Sequence, residues 1–220
     1  MTDILAPAVS PSNAINDPSK TLRDFALADL AQYTPERTPD PNASKDVQLF
    51  LVGKDDVHDV LKHLLSRASI CIHLNMFGYD DEELNTILMA KAMDPNVYVF
   101  ITLDLSQAGG KHEAALIALD RQMNLAAFNT HFAIGQSATH SISHTKGAVL
   151  DNRVVFQGSV NWSRDGEGTF VTRGQPGGVG YKAQNNTLDV ILDLGIAARF
   201  QARLSDEHLI AVKQQLAKAA

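Results

Sequence analysis

The chain has 220 residues, of which 45% are hydrophobic and 20% charged, and its formal net charge is −6. These values are typical of a soluble globular protein with one sizeable core, and they count against a globally basic nucleic-acid binder. A local basic groove would still suffice to bind a polyanion. The single cysteine, Cys71, excludes an intrachain disulfide and a cysteine-based metal site.

Residues 1–45 form a segment of their own, because they contain six of the eight prolines of the chain. We predict a Pro-rich N-terminal extension with one short helix, from about residue 20 to 32, that docks on the domain or on a partner. The sequence has no apolar run of about eighteen residues and no basic segment followed by an apolar one at its start. We therefore expect no transmembrane segment, no secretory signal and a cytoplasmic protein by default, with export by a non-classical route left open.

Residues 46–220 are predicted to form one domain in which strands and helices alternate. Apolar runs predict strands at 47–52, 69–77, 96–103 and about 187–192. Amphipathic spacing predicts helices at 54–68, 80–92, 111–123, 195–204 and 206–218. A hairpin of strands 146–150 and 154–157 is predicted because Asp151-Asn152-Arg153 favours a tight turn. This alternation predicts an α/β fold with a layered mixed β-sheet flanked by helices.

One stretch around this hairpin combines groups that suit attack on a phosphodiester. The pattern H-x-K-x4-D-x6-G-S-x-N is formed by His144, Lys146, Asp151, Gly158, Ser159 and Asn161. Side chains two positions apart on a strand point to the same face, and a hairpin returns its second strand beside the first. We therefore expect His144, Lys146, Ser159 and Asn161 to converge on one small surface.

The residue types in this pattern match the steps of phosphodiester hydrolysis. The neutral imidazole of His144 is a nucleophile that can form a covalent phosphohistidine, which water then cleaves. Lys146 and Asn161, assisted by Ser159, would offset charge on the phosphate oxygens. An acid must also protonate the leaving oxygen, and one copy of the motif supplies only one histidine. The second histidine must therefore come from elsewhere.

The motif resembles that of the phospholipase D superfamily, in the branch with one motif per chain. Residues 97–104 followed by Ser106 and Gln107 are similar to the strand and loop that precede the motif in small bacterial nucleases of this type. Residues 185–191 are similar to the family's final polar pair and strand. The resemblance covers residues from about 47 to 205. It implies a phospholipase D-like fold and a two-fold homodimer in which two copies of His144 face one phosphate.

The resemblance also implies a role for each residue of the motif. His144 corresponds to the nucleophile, and the His144 of a second copy to the general acid. Lys146 and Asn161 correspond to the phosphate-binding pair, and Ser159 to the serine behind the site. Asp151 corresponds to the motif aspartate, which we count with His144 and Lys146 among the catalytic residues although its role in the family is more supportive than chemical.

One position departs from the family pattern. Many members have a Glu after the second half of the motif, where it orients the nucleophilic imidazole. Asn186 stands there in this chain, with Asp189 three residues further on. An amide can hold a ring tautomer but stabilises an imidazolium less than a carboxylate does. Asn186 is therefore predicted to orient His144 and to give a lower reaction rate than a Glu at this position would.

Three functions follow from these observations, in order of preference. The first is a metal-independent nuclease that cleaves DNA or RNA as a homodimer. The second is a phospholipase D acting on phospholipid head groups, which the acidic net charge favours. The third is a non-catalytic scaffold that keeps the fold, which the departure at Asn186 favours. No metal and no cofactor are expected in the reaction, whether the substrate is a nucleic acid or a phospholipid.

Three further features have more than one interpretation. A zinc site built from His131, His140 and His144 is the less favoured interpretation of that cluster. The Gly-rich stretch 164–182 is interpreted as a mobile loop that gates substrate entry, since it lacks the ending of a phosphate-binding loop. Trp162 is expected to pack in the core under the hairpin, with stacking on a base or lining of a lipid pocket as the alternatives.

Overall fold

The computed structural model describes residues 20–123, 131–137, 142–175 and 182–219. Its centre is a seven-stranded mixed sheet with the strand order β1-β7-β6-β5-β2-β3-β4. The strands are β1 (Val47–Leu51), β2 (Cys71–Met76), β3 (Tyr98–Asp104), β4 (Phe132–Gly135), β5 (Gly147–Leu150), β6 (Val154–Gly158) and β7 (Thr187–Ile191). The strands β2, β3 and β4 run parallel, whereas every other neighbouring pair is antiparallel.

Helices cover both faces of this sheet. The described part of the chain gives bounds for six α-helices: α1 (Val57–Arg67), α2 (Glu82–Met93), α3 (Lys111–Met123), α4 (Arg164–Glu167), α5 (Thr169–Thr172) and α6 (Leu194–Ala219). The long helix α6 packs along β2 to β6 on one face, where Ala197 and Leu204 meet Val149 and Val155. The larger core lies on the other face, under α1, α2 and α3. Among the described helices, none is both long and apolar enough to cross a bilayer.

The strands next to the centre of the sheet are buried because both of their faces are covered. All six residues of β2 and all four of β5 are buried, as expected for strands between two helical layers. Three residues connect the paired Leu150 and Val154 of β5 and β6, and two of them, Asp151 at φ 51° and Asn152 at φ 56°, are left-handed. The predicted fold class, a layered mixed sheet flanked by helices, is confirmed.

Two elements differ from the prediction. The C-terminus forms the single helix α6 of 26 residues rather than two helices. Ser205 at the predicted break lies inside the helix, where its hydroxyl contacts His73 Nδ1 at 3.2 Å, and the sequence has no Gly or Pro there to end a helix. The strand β4 was not predicted, because four residues are too few to show a strand period; parallel pairing with β3 forms it.

The N-terminal segment also differs from the prediction in form. Instead of one helix over about 20–32, it makes two 3₁₀ helices, Leu22–Asp24 and Leu27–Tyr33, joined by extended residues. Asp29 accepts a hydrogen bond from the backbone N–H of Ala26, which begins a separate second helix. Three of its four buried residues, Leu27, Leu30 and Tyr33, recur every three positions, the period of a 3₁₀ helix. This segment packs into the main core, while residues 1–19 lie outside the described part of the chain.

Docking of this segment buries His63 of α1. The Tyr33 hydroxyl contacts His63 Nδ1 at 3.0 Å, and only 2% of His63 remains exposed. Burial, helped by the charges of Arg67 and Lys20, lowers the pKa of His63 to about 3. The folded protein therefore keeps this imidazole neutral at pH values where the unfolded chain, with a pKa near 6.5, takes up a proton.

We predict that this difference makes the protein less stable in mild acid. The contribution of His63 is fully present above about pH 6.5 and falls as the pH drops below it, because the unfolded chain then binds more protons. Between pH 8 and pH 5 the contribution of His63 to the free energy of unfolding should fall by about 2 kcal/mol. Urea unfolding of the wild type and of His63→Gln at both pH values checks it: the wild type should lose about that much more than the variant. Equal losses would contradict the prediction.

Candidate active site

Three of the four residues predicted to converge meet around the two residues that follow β2. The ring of Phe77 lies with its centroid 4.6 Å from that of the His144 imidazole, and Lys146 Nζ is 4.8 Å from the same centroid. The side-chain oxygen of Asn161 accepts the backbone N–H of Gly78 at 3.1 Å. The structure thus brings His144, Lys146 and Asn161 to one edge of the sheet.

Strand pairing explains this convergence. Because β2 and β5 are antiparallel, with Asn75 opposite Gly147, the residues after β2 lie beside those before β5. The backbone of Trp162 pairs with this same segment, donating to Gly78 O at 2.9 Å. A Cβ on Gly78 would lie 3.0 Å from Cβ and Cγ of Asn161. The glycine therefore allows the close approach of the Asn161 side chain.

Lys146 provides a largely buried cation beside an accessible imidazole. Its side chain is 7% exposed, whereas His144 is exposed. Lys146 Nζ donates a hydrogen bond to His144 O at 3.0 Å. Burial lowers the pKa of Lys146, and the charge of Asp104 opposes that shift. A cation in partly dry surroundings attracts an anion more strongly than one in open water, so this geometry suits binding of a phosphate next to His144.

Two further residues at this edge were not singled out from the sequence. Phe77 bridges His144 and Lys146 as described above. Asp104, at the end of β3, is 1% exposed and accepts hydrogen bonds from the backbone N–H groups of Ser106, at 2.8 Å, and Ser143. It thereby fixes the residue before His144. A carboxylate at the carboxyl end of a parallel strand was the signal that could have found Asp104.

Ser159 is tied to the neighbouring strand. Its backbone N–H donates to Thr187 O at 3.0 Å, and its hydroxyl oxygen accepts the Thr187 N–H at the same distance. Gly158 before it is packed so closely that a Cβ would lie 2.1 Å from Thr187 O. These contacts leave the Ser159 hydroxyl proton available to a ligand. Its predicted part in phosphate binding remains a prediction.

Asp151 lies at the opposite end of β5 from His144 and Lys146. Its carboxylate accepts the backbone N–H groups of Ser69, Ile70 and Cys71 at 2.8 to 3.0 Å. It lies five strand positions from Lys146, which at about 3.3 Å per residue is roughly 16 Å. The structure therefore places this aspartate away from His144 and Lys146, where it holds the backbone before β2. Its predicted part among the catalytic residues stays a prediction.

Asn186 is not brought into contact with the imidazole it was predicted to orient. Its amide nitrogen donates to Gly166 O at 3.0 Å and to Gln184 Oε1 at 3.1 Å. The ring nitrogens of His144 make no hydrogen bond to any residue that the structure describes. Asn186 directly precedes β7, and its side chain ties this end of the strand to α4 through the backbone carbonyl of Gly166. Its predicted role as orienter has no support within one copy of the chain.

The structure also gives the positions of Trp162, of the predicted histidine cluster and of the Gly-rich stretch. Trp162 is 1% exposed and stacks on Tyr79 with ring centroids 5.6 Å apart, so it packs in the core rather than facing a base or a lipid. His131 Nδ1 contacts Val99 O at 2.8 Å, at the edge of the sheet opposite to His144. His140 lies outside the described residues, as do residues 176–181 of the Gly-rich stretch. The described part of that stretch contains α4 and α5.

This architecture is the phospholipase D-like fold. It is similar to Nuc, a phospholipase D family member of Salmonella typhimurium, with a TM-score of 0.52 and 17% identity over 74% of this chain and 94% of that one. It is also similar to NucT of Helicobacter pylori, with a TM-score of 0.53 and 14% identity over 75% and 96%. The resemblance inferred from the motif is thus confirmed at the level of the fold.

A third similar structure belongs to a larger protein. Phosphatidylserine synthase of Haemophilus influenzae matches with a TM-score of 0.53 and 16% identity, over 74% of this chain and 37% of that one. Comparison of the sequence with protein-family models and with curated proteins gives no match. At these identities the likeness establishes the fold, and the activity has to be argued from the site.

Proposed function

We propose that this protein is a metal-independent phosphodiesterase of the phospholipase D superfamily, and specifically a nuclease that works as a homodimer. The observation that carries the proposal is the convergence of His144, Lys146 and Asn161 on Phe77 and Gly78. An accessible imidazole, a shielded cation and an amide at one sheet edge are the groups that such a displacement needs. The shared fold supports the same superfamily.

The proposed reaction has two displacements. A ring nitrogen of His144 attacks the phosphorus and forms a P–N bond, while the bond from phosphorus to the leaving oxygen breaks. The His144 of the second copy donates a proton to that oxygen. Water then attacks phosphorus, the P–N bond breaks, and the second imidazole takes the proton from water. Lys146 and the Asn161 amide lower the energy of both transition states by offsetting charge on the phosphoryl oxygens.

The need for a second histidine supports pairing of two copies at this edge. Leu105 and Ile142 are 37% and 39% exposed there, and the bond from Ser143 N to Asp104 shows that their segments are adjacent. Apolar side chains around a polar site are typical of a surface that a second copy covers. A two-fold contact at this edge would place the two imidazoles across one phosphate.

Replacement of Lys146 by methionine tests the proposal on defined substrates. Purified chain is incubated with EDTA and single-stranded DNA, duplex DNA, RNA or phosphatidylcholine vesicles, and its mass in solution is measured by light scattering. We expect a dimer that cleaves nucleic acid in EDTA, with the rate reduced about 10²- to 10³-fold in Lys146→Met because the phosphate loses its cation. The exposed Lys54→Met serves as the matched control and should cleave at the wild-type rate.

Each other outcome contradicts a defined part of the proposal. Release of choline without cleavage of nucleic acid would indicate a phospholipase and not a nuclease. If none of the substrates were cleaved, the result would indicate a non-catalytic scaffold. A strictly monomeric active protein would exclude the two-copy site. Folding in EDTA is followed by circular dichroism in the same samples, so that a loss of activity through unfolding is separated from a chemical need for metal.

A further inference from the structure

A buried cluster of one imidazole and two carboxylates lies near the candidate active site in sequence but uses none of its residues. Nδ1 of His58 and one oxygen each of Asp81 and Glu167 lie within 4.8 Å of one another. Asp81 follows Gly78 by three positions, and Glu167 follows Asn161 by six. We infer that this cluster binds one divalent metal ion of the zinc type, with a structural role separate from the phosphodiester chemistry.

The spacing of His58 and Asp81 suits such an ion. Zinc is bound at about 2.0 Å by histidine nitrogen and at about 2.0–2.2 Å by carboxylate oxygen, so its tetrahedral ligand atoms lie roughly 3.3 Å apart. His58 Nδ1 is 3.5 Å from Asp81 Oδ2, close to this spacing. It also makes a direct hydrogen bond to Glu167 Oε2, which is closer than two ligands of one ion lie, so a bound ion would replace the proton between these two groups and move them apart. Nitrogen with carboxylate oxygen is a donor set that zinc accepts, and three protein ligands leave a fourth position for water.

The surrounding hydrogen bonds orient the His58 ring. His58 Nε2 contacts Glu83 Oε2 at 2.9 Å, and Glu83 is held in turn by Lys62. With the ring proton on Nε2, the lone pair of Nδ1 faces Asp81 and Glu167. A carboxylate behind a histidine ligand is the usual outer partner in metal sites, since it fixes the ring and its tautomer.

Asp81 has one oxygen to spare for this purpose. Its Oδ1 accepts the backbone N–H of Leu84 at 2.7 Å and so caps α2. Its Oδ2 is the atom that faces His58. The same side chain can therefore cap the helix and bind a metal ion without a change of conformation.

Glu167 supplies an independent sign that a cation belongs here. The residue is 1% exposed, and its Oε1 has no hydrogen-bond partner among the residues that the structure describes. A buried carboxylate oxygen without a partner is costly. A divalent ion would bind this oxygen or its neighbour and offset the excess negative charge.

The bound ion would tie together three elements that support the candidate active site. His58 lies on α1, Asp81 at the start of α2 and Glu167 at the end of α4. The segments that carry Asp81 and Glu167 also carry Gly78 and Asn161. A metal ion at this place would therefore stabilise the relative position of these two segments.

Zinc content of the full chain tests the inference. Tag-free protein is incubated with excess zinc chloride, passed through a desalting column and analysed by mass spectrometry for metal. We expect about one zinc per chain in the wild type and in the exposed control Glu36→Gln, and close to none in Glu167→Gln. Zinc should also raise the melting temperature of the wild type but not of Glu167→Gln. Activity is not measured, so this result is independent of the proposed nuclease function.

Two results would overturn the inference. One is a wild-type protein that retains no zinc, in which case a proton joins His58 and Glu167. The other is a Glu167→Gln variant that retains as much zinc as the wild type. If circular dichroism shows that Glu167→Gln does not fold, Asp81→Asn replaces it, because an asparagine oxygen can still cap α2 while the charged ligand is lost. Retention of a full equivalent by Asp81→Asn would count against the site in the same way.

Discussion

His144→Ala is expected to abolish phosphodiester cleavage and leave the fold intact. The imidazole is exposed and makes a ring contact with Phe77, so its loss should change the free energy of unfolding by no more than about 0.5 kcal/mol. The rate should fall at least about 10³-fold, because both the nucleophile and, in a dimer, the general acid are removed. Initial rates on the best nucleic-acid substrate measure the effect.

A second histidine provides the control for this experiment. His131 lies at the opposite edge of the sheet, with Nδ1 against Val99 O. His131→Ala should therefore keep a rate within a few-fold of the wild type. If His144→Ala retained more than about a tenth of the activity, a nucleophilic role for this residue would be excluded, whatever the effect of His131→Ala.

Asp151→Ala is expected to destabilise the protein by about 3 kcal/mol without changing the rate of the folded fraction. The carboxylate accepts three backbone N–H groups at the start of β2, and the residue has φ 51°. Alanine would leave those donors without their acceptor and would be strained in the left-handed region. Urea unfolding gives the loss of stability, and rates corrected for the folded fraction give the effect on activity.

Asp151→Asn separates the two roles of this residue. Asparagine tolerates the left-handed conformation and keeps one acceptor oxygen, so the loss of stability should be smaller, about 1 kcal/mol. An Asp151→Ala protein that is as stable as the wild type but inactive would restore a direct part in the chemistry. The placement of Asp151 at the far end of β5 argues for the stability effect.

Most elements of the fold were predictable from local patterns. Helix α1 shows why: its buried residues Val57, Val60, Leu61 and Leu64 repeat with the helical period, and Asp56 caps its first turn. The hairpin of β5 and β6 was predictable because Asp and Asn tolerate the left-handed conformation that its turn residues adopt. Elements whose form depends on a distant neighbour were not predicted correctly. The strand β4 needs β3, and the 3₁₀ form of the N-terminal segment reflects its packing on α1.

The residues of the candidate active site also divide into those that local spacing predicted and those that it did not. His144, Lys146 and Asn161 were found from their spacing, and the structure places all three at one edge. Asn186 was assigned by alignment alone, and its hydrogen bonds hold it against α4 instead. Phe77 has no local pattern that marks it, since it contacts side chains in a distant part of the chain. Asp104 is marked only by its position at the end of β3, and its contact with Ser143 depends on the fold.

The sequence by itself determined which chemical groups are present and how the neighbouring ones are spaced, because strand and helix periods act over a few residues. It was enough to name the nucleophile and cation of the proposed reaction and the class of fold. Only the tertiary structure decided which distant groups meet. Asn161 reaches Gly78 across 83 positions and His58 reaches Glu167 across 109. Such contacts arise from the pairing of strands and the packing of helices over the whole chain, which no local spacing encodes.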